Sequence, residues 1–273
     1  MLALCLPAQA WAPVTHAYLA ERITGHCDPE IMYGATMVDF HGTLIANKKA
    51  DKALKRIAHD EFHRLEPSKF AVGFATHNAL WGADYYAHLY YDKSAEPIYS
   101  TLKIRQLSRE FGISMQQAED SFEGVIEFMI RIEYGPQLGQ IMAQGARDTH
   151  EEELAKAFAA PLAKRTGMSV EQAASEIRKA ARGFQVLANT YAKQLVRDDA
   201  YLRFLAVLAI QGYLGGSHDD AERYFTRVIE LCQDDYQAEM DRIVRNIRER
   251  MRADPVYAPY CKPAPAAGQP EAP

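Results

Sequence analysis

Cysteine, long apolar runs and excess positive charge are all scarce in this chain, and each shortage excludes a class of protein. The four cysteines among 273 residues show no C-x-x-C spacing, so neither a zinc knuckle nor a disulfide framework is predicted. The longest apolar run, near Phe204–Leu214, is interrupted by Gln211 and falls short of the roughly 20 residues that a membrane helix needs. A net charge of −5 argues against a surface dominated by nucleic-acid binding.

What is present is a composition suited to packed helices. Hydrophobic residues make up 48% of the chain and charged residues 25%, enough for the core of one large or two small domains. Almost every segment shows helical rather than alternating periodicity, which predicts an all-α fold. The predicted helices are Val14–Ile23, Asp51–Leu65, Phe70–Tyr91, Glu96–Phe111, Met115–Ile132, His150–Arg165, Val170–Val196, Ala200–Leu214 and Asp219–Arg252.

The two ends of the chain differ in composition from the middle. Residues 1–10 are apolar and end in Ala-Gln-Ala, which resembles the second half of a secretory signal cleaved after Ala10; an apolar N-terminal helix is the alternative. A signal would make the protein secreted or periplasmic. Residues 255–273 are rich in Pro, Ala and Gly and are predicted to be disordered. Between them we expect a metal-binding helical core at 11–135 and further helices at 136–254, in the same or an appended domain.

The most informative segment runs from His77 to His88. If Phe70–Tyr91 is one helix, each residue advances about 100° around its axis. His77, Asp84 and His88 then lie within roughly 40° of arc on one face. Two imidazoles and a carboxylate are suitable ligands for a divalent cation. The alternative is a buried helix face with two hydrogen-bonded histidines.

Three further candidates precede that segment. Cleavage after Ala10 would free an α-amine at Trp11, which could chelate a metal together with its own carbonyl; a buried tryptophan anchoring the first helix is the alternative. His16 follows five residues later. Asp39 follows a stretch of small and apolar residues. A lone carboxylate in such surroundings is rare unless it is paired or bound to a cation. The alternative is that Asp39 caps the next helix. His41, two residues further on, is expected to point elsewhere.

Two more pairs stand at the i, i+4 spacing that places side chains on one helix face. His59 and His63 form the first pair, and at least one of them is expected to bind metal. Glu123 and Glu127 form the second, in a strongly apolar context that calls for a partner. An ion pair between Glu127 and Arg131 is the competing structural explanation.

In their order along the chain, these residues resemble the zinc-dependent phospholipase C family, whose all-helical fold also includes the single-strand-specific nucleases. The resemblance spans about Trp11–Arg131 and is carried by Trp-x4-His, Gly-x4-Asp, Gly-x3-His and Asp-x3-His. It implies a zinc cluster of two or three ions and a single helical domain with additional C-terminal helices. The implied ligands are Trp11, His16, Asp39, one of His59 or His63, His77, Asp84 and His88.

The chain departs from the family pattern at two places. His77 and Asp84 are seven residues apart, where the family spacing is four. Glu123-x3-Glu127 stands where the family has His-x3-Glu. Replacing an imidazole by a carboxylate lowers the charge of the site and can change which metal binds, or how many.

The function expected from this resemblance is hydrolysis of a phosphodiester by metal-activated water. Asp39 is the candidate catalytic residue because a carboxylate can both bind a metal and orient the water. A phospholipid headgroup is favoured over nucleic acid because the chain is acidic. The alternatives are a phosphohydrolase of the HD type, built on His59-Asp60, and a non-catalytic metal-binding helical protein.

Overall fold

The structure, a computed structural model, describes residues 13–44, 47–87 and 99–262, and these residues fold entirely into helices and connecting turns. The predicted all-α class is therefore confirmed. No helix in these three ranges is both long and apolar enough to cross a bilayer. The α-helices are α1 (Pro13–Thr24), α2 (Pro29–Met37), α3 (Lys48–Asp60), α4 (Lys69–His77), α5 (Ala83–Ala87), α6 (Tyr99–Phe111), α7 (Met115–Tyr134), α8 (Gln137–Gly145), α9 (Glu151–Thr166), α10 (Val170–Leu195), α11 (Asp199–Leu214), α12 (His218–Cys232) and α13 (Tyr236–Ala253).

Several helix boundaries follow directly from local chemistry. The side chains of Ser114 and Ser169 accept hydrogen bonds from the backbone N–H three residues on, and Gln117 and Gln172 complete two capping boxes. These bonds satisfy N–H groups that a helix start leaves without a partner. At the other end of α7, Gly135 adopts φ 88°, a conformation that costs a residue without a Cβ little.

The predicted helix Phe70–Tyr91 is wrong, and so is the geometry inferred from it. Helix α4 ends at His77, and Asn78 turns the chain with ψ 156°. The Asn78 Oδ1 accepts hydrogen bonds from the N–H groups of Leu80 (2.8 Å) and Trp81 (2.9 Å). This turn separates α4 from α5, so His77 and Asp84 lie on different helices rather than on one face.

Two other predicted helices also end earlier than expected. The long helix Asp219–Arg252 is divided between α12 and α13, and Lys103 from α6 binds the turn between them. Its ammonium donates to the Leu231 carbonyl. It also donates to the two carboxylate oxygens of Asp235, at 3.0 Å to Oδ1 and 2.9 Å to Oδ2. Helix α3 ends at Asp60, and a 3-10 turn at Phe62–Arg64 follows where Asp51–Leu65 was predicted as one helix.

Two helices were not predicted, and both contain glycines at close crossings. A Cβ on Gly34 of α2 would lie 2.2 Å from the Phe70 carbonyl oxygen, and one on Gly145 of α8 would lie 2.2 Å from the Pro29 carbonyl oxygen. Glycine weakens helix propensity, so the sequence pattern misses helices whose glycines serve tertiary contacts. Asp28 followed by Pro29 is nevertheless a sequence pattern typical of a helix start, and Asp28 does cap α2.

The first and second halves of the chain share one hydrophobic core. Its buried members run from Val14 in α1 to Cys261 near the end of the described chain. The C-terminal helices therefore pack on the same core as the candidate metal-binding helices. The segment at 255–262 is a correction to the predicted disordered tail: Tyr257 is buried, and the Lys262 N–H donates to the Thr24 carbonyl at 2.8 Å. Residues 1–12 and 263–273 lie outside the described residues.

Candidate metal centre

Five elements bring six potential metal ligands to one place. Helices α1, α3, α4 and α5 contribute one side chain each, and a 3-10 helix at Val38–Thr43 contributes two. Most of these groups are buried, with exposures between 0% and 7%. The six residues are His16, Asp39, His41, His59, His77 and Asp84.

Three of the imidazoles are held in the same tautomer by hydrogen bonds on their outer side. The Nδ1–H of His77 donates to the Ala35 carbonyl at 2.7 Å, and that of His59 donates to the Lys55 carbonyl at 2.8 Å. The Nδ1–H of His41 donates to the Asp51 carboxylate at 2.9 Å. A carbonyl or carboxylate can only accept, so Nδ1 carries the proton and each neutral ring keeps a lone pair on Nε2.

These Nε2 atoms point toward the carboxylate of Asp39. The Nε2 atoms of His41 and His59 both lie 3.5 Å from Asp39 Oδ1. The Nε2 atom of His77 lies 3.9 Å from Asp39 Oδ2. None of the three Nε2 atoms makes a hydrogen bond within the described chain. Converging acceptors without a proton between them are unfavourable when buried, and a bound cation would satisfy all of them.

The ligand atoms form three overlapping groups. In each group, the three atoms lie within 4.8 Å of one another: His16–Asp39–His77, Asp39–His41–His59 and His59–His77–Asp84. An imidazole with its Nδ1 proton donated elsewhere has one lone pair and can bind one ion. A carboxylate has two oxygens, and those of Asp39 face different groups. Asp39 is therefore the residue that can bridge two ions.

The electrostatics of Asp39 fit this arrangement. Burial raises the pKa of its carboxyl, but in metal-free protein a proton on His41 or His59 and positive charge on His77 would outweigh burial and hold the pKa well below its usual value. A bound cation would supply the same positive charge. The side chain of Asp39 is 30% exposed, whereas that of His77 is 0% exposed. Asp39 is thus the partly exposed member of its groups, although its Oδ1 atom is buried.

His77 and His16 are stacked in parallel. Their ring centroids are 3.6 Å apart and their planes differ by 7°. Two imidazolium cations in such contact would repel each other. Burial lowers the pKa of His77, which favours the neutral form that binds metals.

Glu123 and Glu127 lie outside the three compact groups. Burial and the nearby charges of Glu119, Asp120 and Asp84 raise the pKa of Glu123 well above its usual value. Its exposure is 3%, and its Oε2 makes no hydrogen bond in the described chain. Glu123 therefore lies close enough to Asp84 to feel its charge, in surroundings that favour either a proton or a cation.

Glu127 instead binds the start of α1. One carboxylate oxygen accepts a hydrogen bond from the Val14 N–H at 2.5 Å, and the other accepts one from the Tyr191 hydroxyl at 2.5 Å. The guanidinium of Arg131, expected as its ion-pair partner, instead donates to the carbonyls of Leu195 and Arg197. The structural explanation offered for Glu127 from its sequence spacing was therefore wrong.

The other residues predicted from the sequence as candidates differ in where they lie. His59 lies in the compact groups, whereas His63 is exposed on the 3-10 turn that follows α3. Asp60, required by the HD-type alternative, is absent from these groups among the described residues. Trp11 and His88 lie outside the described residues. His41 is a correction, because the tight 3-10 helix places it beside Asp39 rather than away from it.

Comparisons with protein-family models, with curated proteins and with solved structures found no match to this chain.

Proposed function

We propose that this protein is a metal-dependent phosphodiester hydrolase of the zinc-dependent phospholipase C type. The observation that carries the proposal is the set of imidazole Nε2 atoms directed at the shared carboxylate of Asp39. Imidazole nitrogens and carboxylate oxygens at this spacing suit zinc and neighbouring divalent metals. The residues that would hold the ions are His16, Asp39, His41, His59, His77 and Asp84, and Asp39 has an oxygen available to each of two ions.

The bound metal ions and the residues around them would have different roles in hydrolysis. Bound metal ions would supply Lewis acidity, lowering the pKa of a water molecule and neutralising charge on the phosphate. Asp39, the partly exposed member, would accept a hydrogen bond from that water and fix its direction of attack. The carbonyls of Ala35 and Lys55 hold His77 and His59 in the orientation that presents Nε2 to the metal.

For the substrate, we favour a phospholipid headgroup over a nucleic acid. The net charge of −5 gives a polyanionic strand little general attraction. The secreted or periplasmic location suggested by residues 1–10 would expose the enzyme to phospholipid headgroups at a membrane surface. Both parts of this proposal can be tested with the same preparation.

The test compares metal content with hydrolysis of a simple diester. Purified protein should contain two or three equivalents of zinc and hydrolyse bis(4-nitrophenyl) phosphate. A chelator should abolish this activity and Zn²⁺ should restore it. Phosphatidylcholine vesicles should be cleaved faster than a single-stranded oligonucleotide. Full activity in the presence of a chelator would overturn the proposal, and faster cleavage of the oligonucleotide would overturn the choice of substrate.

The chain offers a matched pair of histidine variants as a control. His59→Ala should lower metal content by at least one equivalent and activity by at least about tenfold, because His59 belongs to two ligand groups. His63→Ala, four residues away but exposed, should change neither. Equal effects of the two substitutions would contradict the assignment of the site. The experiment should be repeated with protein beginning at Trp11, because a preceding residue would block its α-amine.

A non-catalytic metal centre is the second candidate function. The near-complete burial of His16, His41, His59 and His77 favours it, because a structural metal needs no access to substrate. This candidate predicts metal binding that stabilises the fold without hydrolysis of either diester.

A further inference from the structure

The side chain of His41 is not part of the ligand set expected from the sequence, yet it belongs to one of the three ligand groups. Its ring is 3% exposed and is placed between two carboxylates. Nδ1 contacts Asp51 at 2.9 Å, and Nε2 faces Asp39 Oδ1 at 3.5 Å. These two contacts differ in kind, and the difference indicates what the ring is arranged to do.

The inner contact is too long to be a hydrogen bond but has the right length for two ligands of one ion. An N–H···O bond normally spans about 2.7–3.2 Å. Two ligands about 2.1 Å from a tetrahedral metal are separated by about 3.4 Å. The Nε2 atoms of both His41 and His59 lie 3.5 Å from the same oxygen of Asp39. Two of the three separations thus match edges of a coordination tetrahedron, and the third, between the ligand atoms of His41 and His59, lies within 4.8 Å.

The outer contact has the geometry that supports a metal-binding histidine. Histidines that bind metals usually donate their other ring N–H to a carboxylate or carbonyl, which fixes the tautomer and increases the basicity of the ligand. Asp51 performs this part for His41. It lies on α3, as does His59, so one helix supplies both a ligand and the residue that orients another.

We propose that Asp39 Oδ1, His41 and His59 form a distinct binding position for a borderline divalent cation such as Zn²⁺ or Co²⁺, with Asp51 as the residue that positions His41. Two imidazoles and a single carboxylate favour such ions over Mg²⁺ and Ca²⁺, which prefer all-oxygen ligands. With three protein ligands, the position keeps a fourth corner for water or substrate. This inference refines the metal centre on which the proposed function rests, but it concerns metal binding alone.

The alternative is an imidazolium ion paired with two carboxylates. That arrangement would bring the Nε2–H of His41 into hydrogen-bond distance of Asp39, and the 3.5 Å separation does not. It also leaves unexplained why His59 approaches the same oxygen at the same distance. The two possibilities predict different behaviour when metal is titrated.

The test is a titration of metal-depleted protein with Co²⁺, followed by its visible absorption and by equilibrium dialysis. His41→Ala should bind one equivalent fewer than the unaltered protein and lose the absorption of that position. Added imidazole should restore both, because it can fill the space left by the side chain. Asp51→Asn should keep the number of ions but weaken the affinity of one of them by about 10- to 100-fold. His63→Ala is the matched control and should leave the titration unchanged.

Binding of the same number of ions with unchanged affinity by His41→Ala would overturn the inference. If that variant does not fold, Asp51→Asn decides the matter, since its partly exposed side chain can be changed without a cavity: unchanged affinity then overturns the inference. The readout also separates this inference from the proposed function. Loss of one ion in His41→Ala, from a protein that hydrolyses no diester, would contradict the proposed function alone. Diester hydrolysis that survives with full metal content in His41→Ala would contradict the inference alone.

Discussion

The carboxylate of Glu127 accepts a hydrogen bond from the backbone N–H of Val14 at 2.5 Å and thereby joins α7 to the start of α1. An N–H at a helix start has no partner within its own helix, and a carboxylate there also interacts favourably with the helix dipole. Because Val14 precedes His16 by two residues, this contact helps to fix the helix that carries one candidate ligand. Burial nevertheless raises the pKa of Glu127 to about 7 against the effect of its two hydrogen bonds.

This pKa predicts a pH dependence of stability in metal-free protein. An acid whose pKa is raised in the folded state stabilises the fold fully below its unfolded pKa and loses that contribution as the pH rises through the folded pKa. The unaltered protein should therefore lose stability relative to Glu127→Gln between about pH 5 and pH 8, by on the order of 3 kcal/mol. Urea denaturation of both proteins in a chelator across this range measures the difference. A constant difference would show that Glu127 does not titrate there.

Replacing Arg131 should destabilise the contact between α7 and α10. Its guanidinium donates to the carbonyls of Leu195 at 2.5 Å and Arg197 at 3.0 Å, at the end of α10. Arg131→Met would leave these acceptors without a donor and should cost about 2–4 kcal/mol of unfolding free energy. Arg64→Met is the control, since Arg64 is 46% exposed and pairs only at the surface; it should cost less than about 1 kcal/mol. Similar losses in the two variants would argue against a special role for Arg131.

The crossing of α2 and α4 should not tolerate a methyl group at Gly73. A Cβ there would lie 1.8 Å from the Ile31 carbonyl oxygen, so the helices would have to separate. Gly73→Ala should cost about 3 kcal/mol. Gly124→Ala, in α7 with no atom within 4 Å of the added Cβ, should instead stabilise by about 0.5–1 kcal/mol. Thermal and urea denaturation would reveal these opposite signs, and stabilisation by both substitutions would contradict the close crossing.

Asn78 should matter for metal binding although it is not itself a candidate ligand. Its amide donates to the Ala75 carbonyl at 2.6 Å, and its Oδ1 accepts from Leu80, Trp81 and Gly82. The turn it holds sets the position of α5, and thus of Asp84, relative to His77. Asn78→Ala should lower the unfolding free energy by about 2–3 kcal/mol and weaken metal affinity.

Asn189→Ala provides the comparison for that variant. Asn189 donates one hydrogen bond, to the Ala146 carbonyl at 2.9 Å, and neither residue belongs to the candidate ligand groups. Its replacement should lower stability by about 1 kcal/mol without altering metal affinity. If Asn78→Ala bound metal as tightly as Asn189→Ala, the turn would not control the site.

Much of the helical framework could be predicted because helix formation depends on local signals. The capping boxes at Ser114 and Ser169 and the stop at Gly135 concern neighbouring residues only, and the structure confirms all three. The helices that were missed or overextended depend on distant contacts. Lys103, from another helix, binds the last turn of α12, and the glycines of α2 and α8 lie where other backbones cross closely.

For the candidate site, the sequence by itself determined which residues offer metal-binding atoms and placed most of them in the first third of the chain. Only the tertiary structure decided which of those atoms meet. It joined His77 to Asp84 across a turn rather than along a helix face, selected His59 over His63, and added His41. The reason is physical: residue type fixes the donor atom, but its direction depends on turns and helix crossings set by contacts far apart in the chain. Contacts of this long-range kind also placed the Glu127 carboxylate against the Val14 N–H at the start of α1.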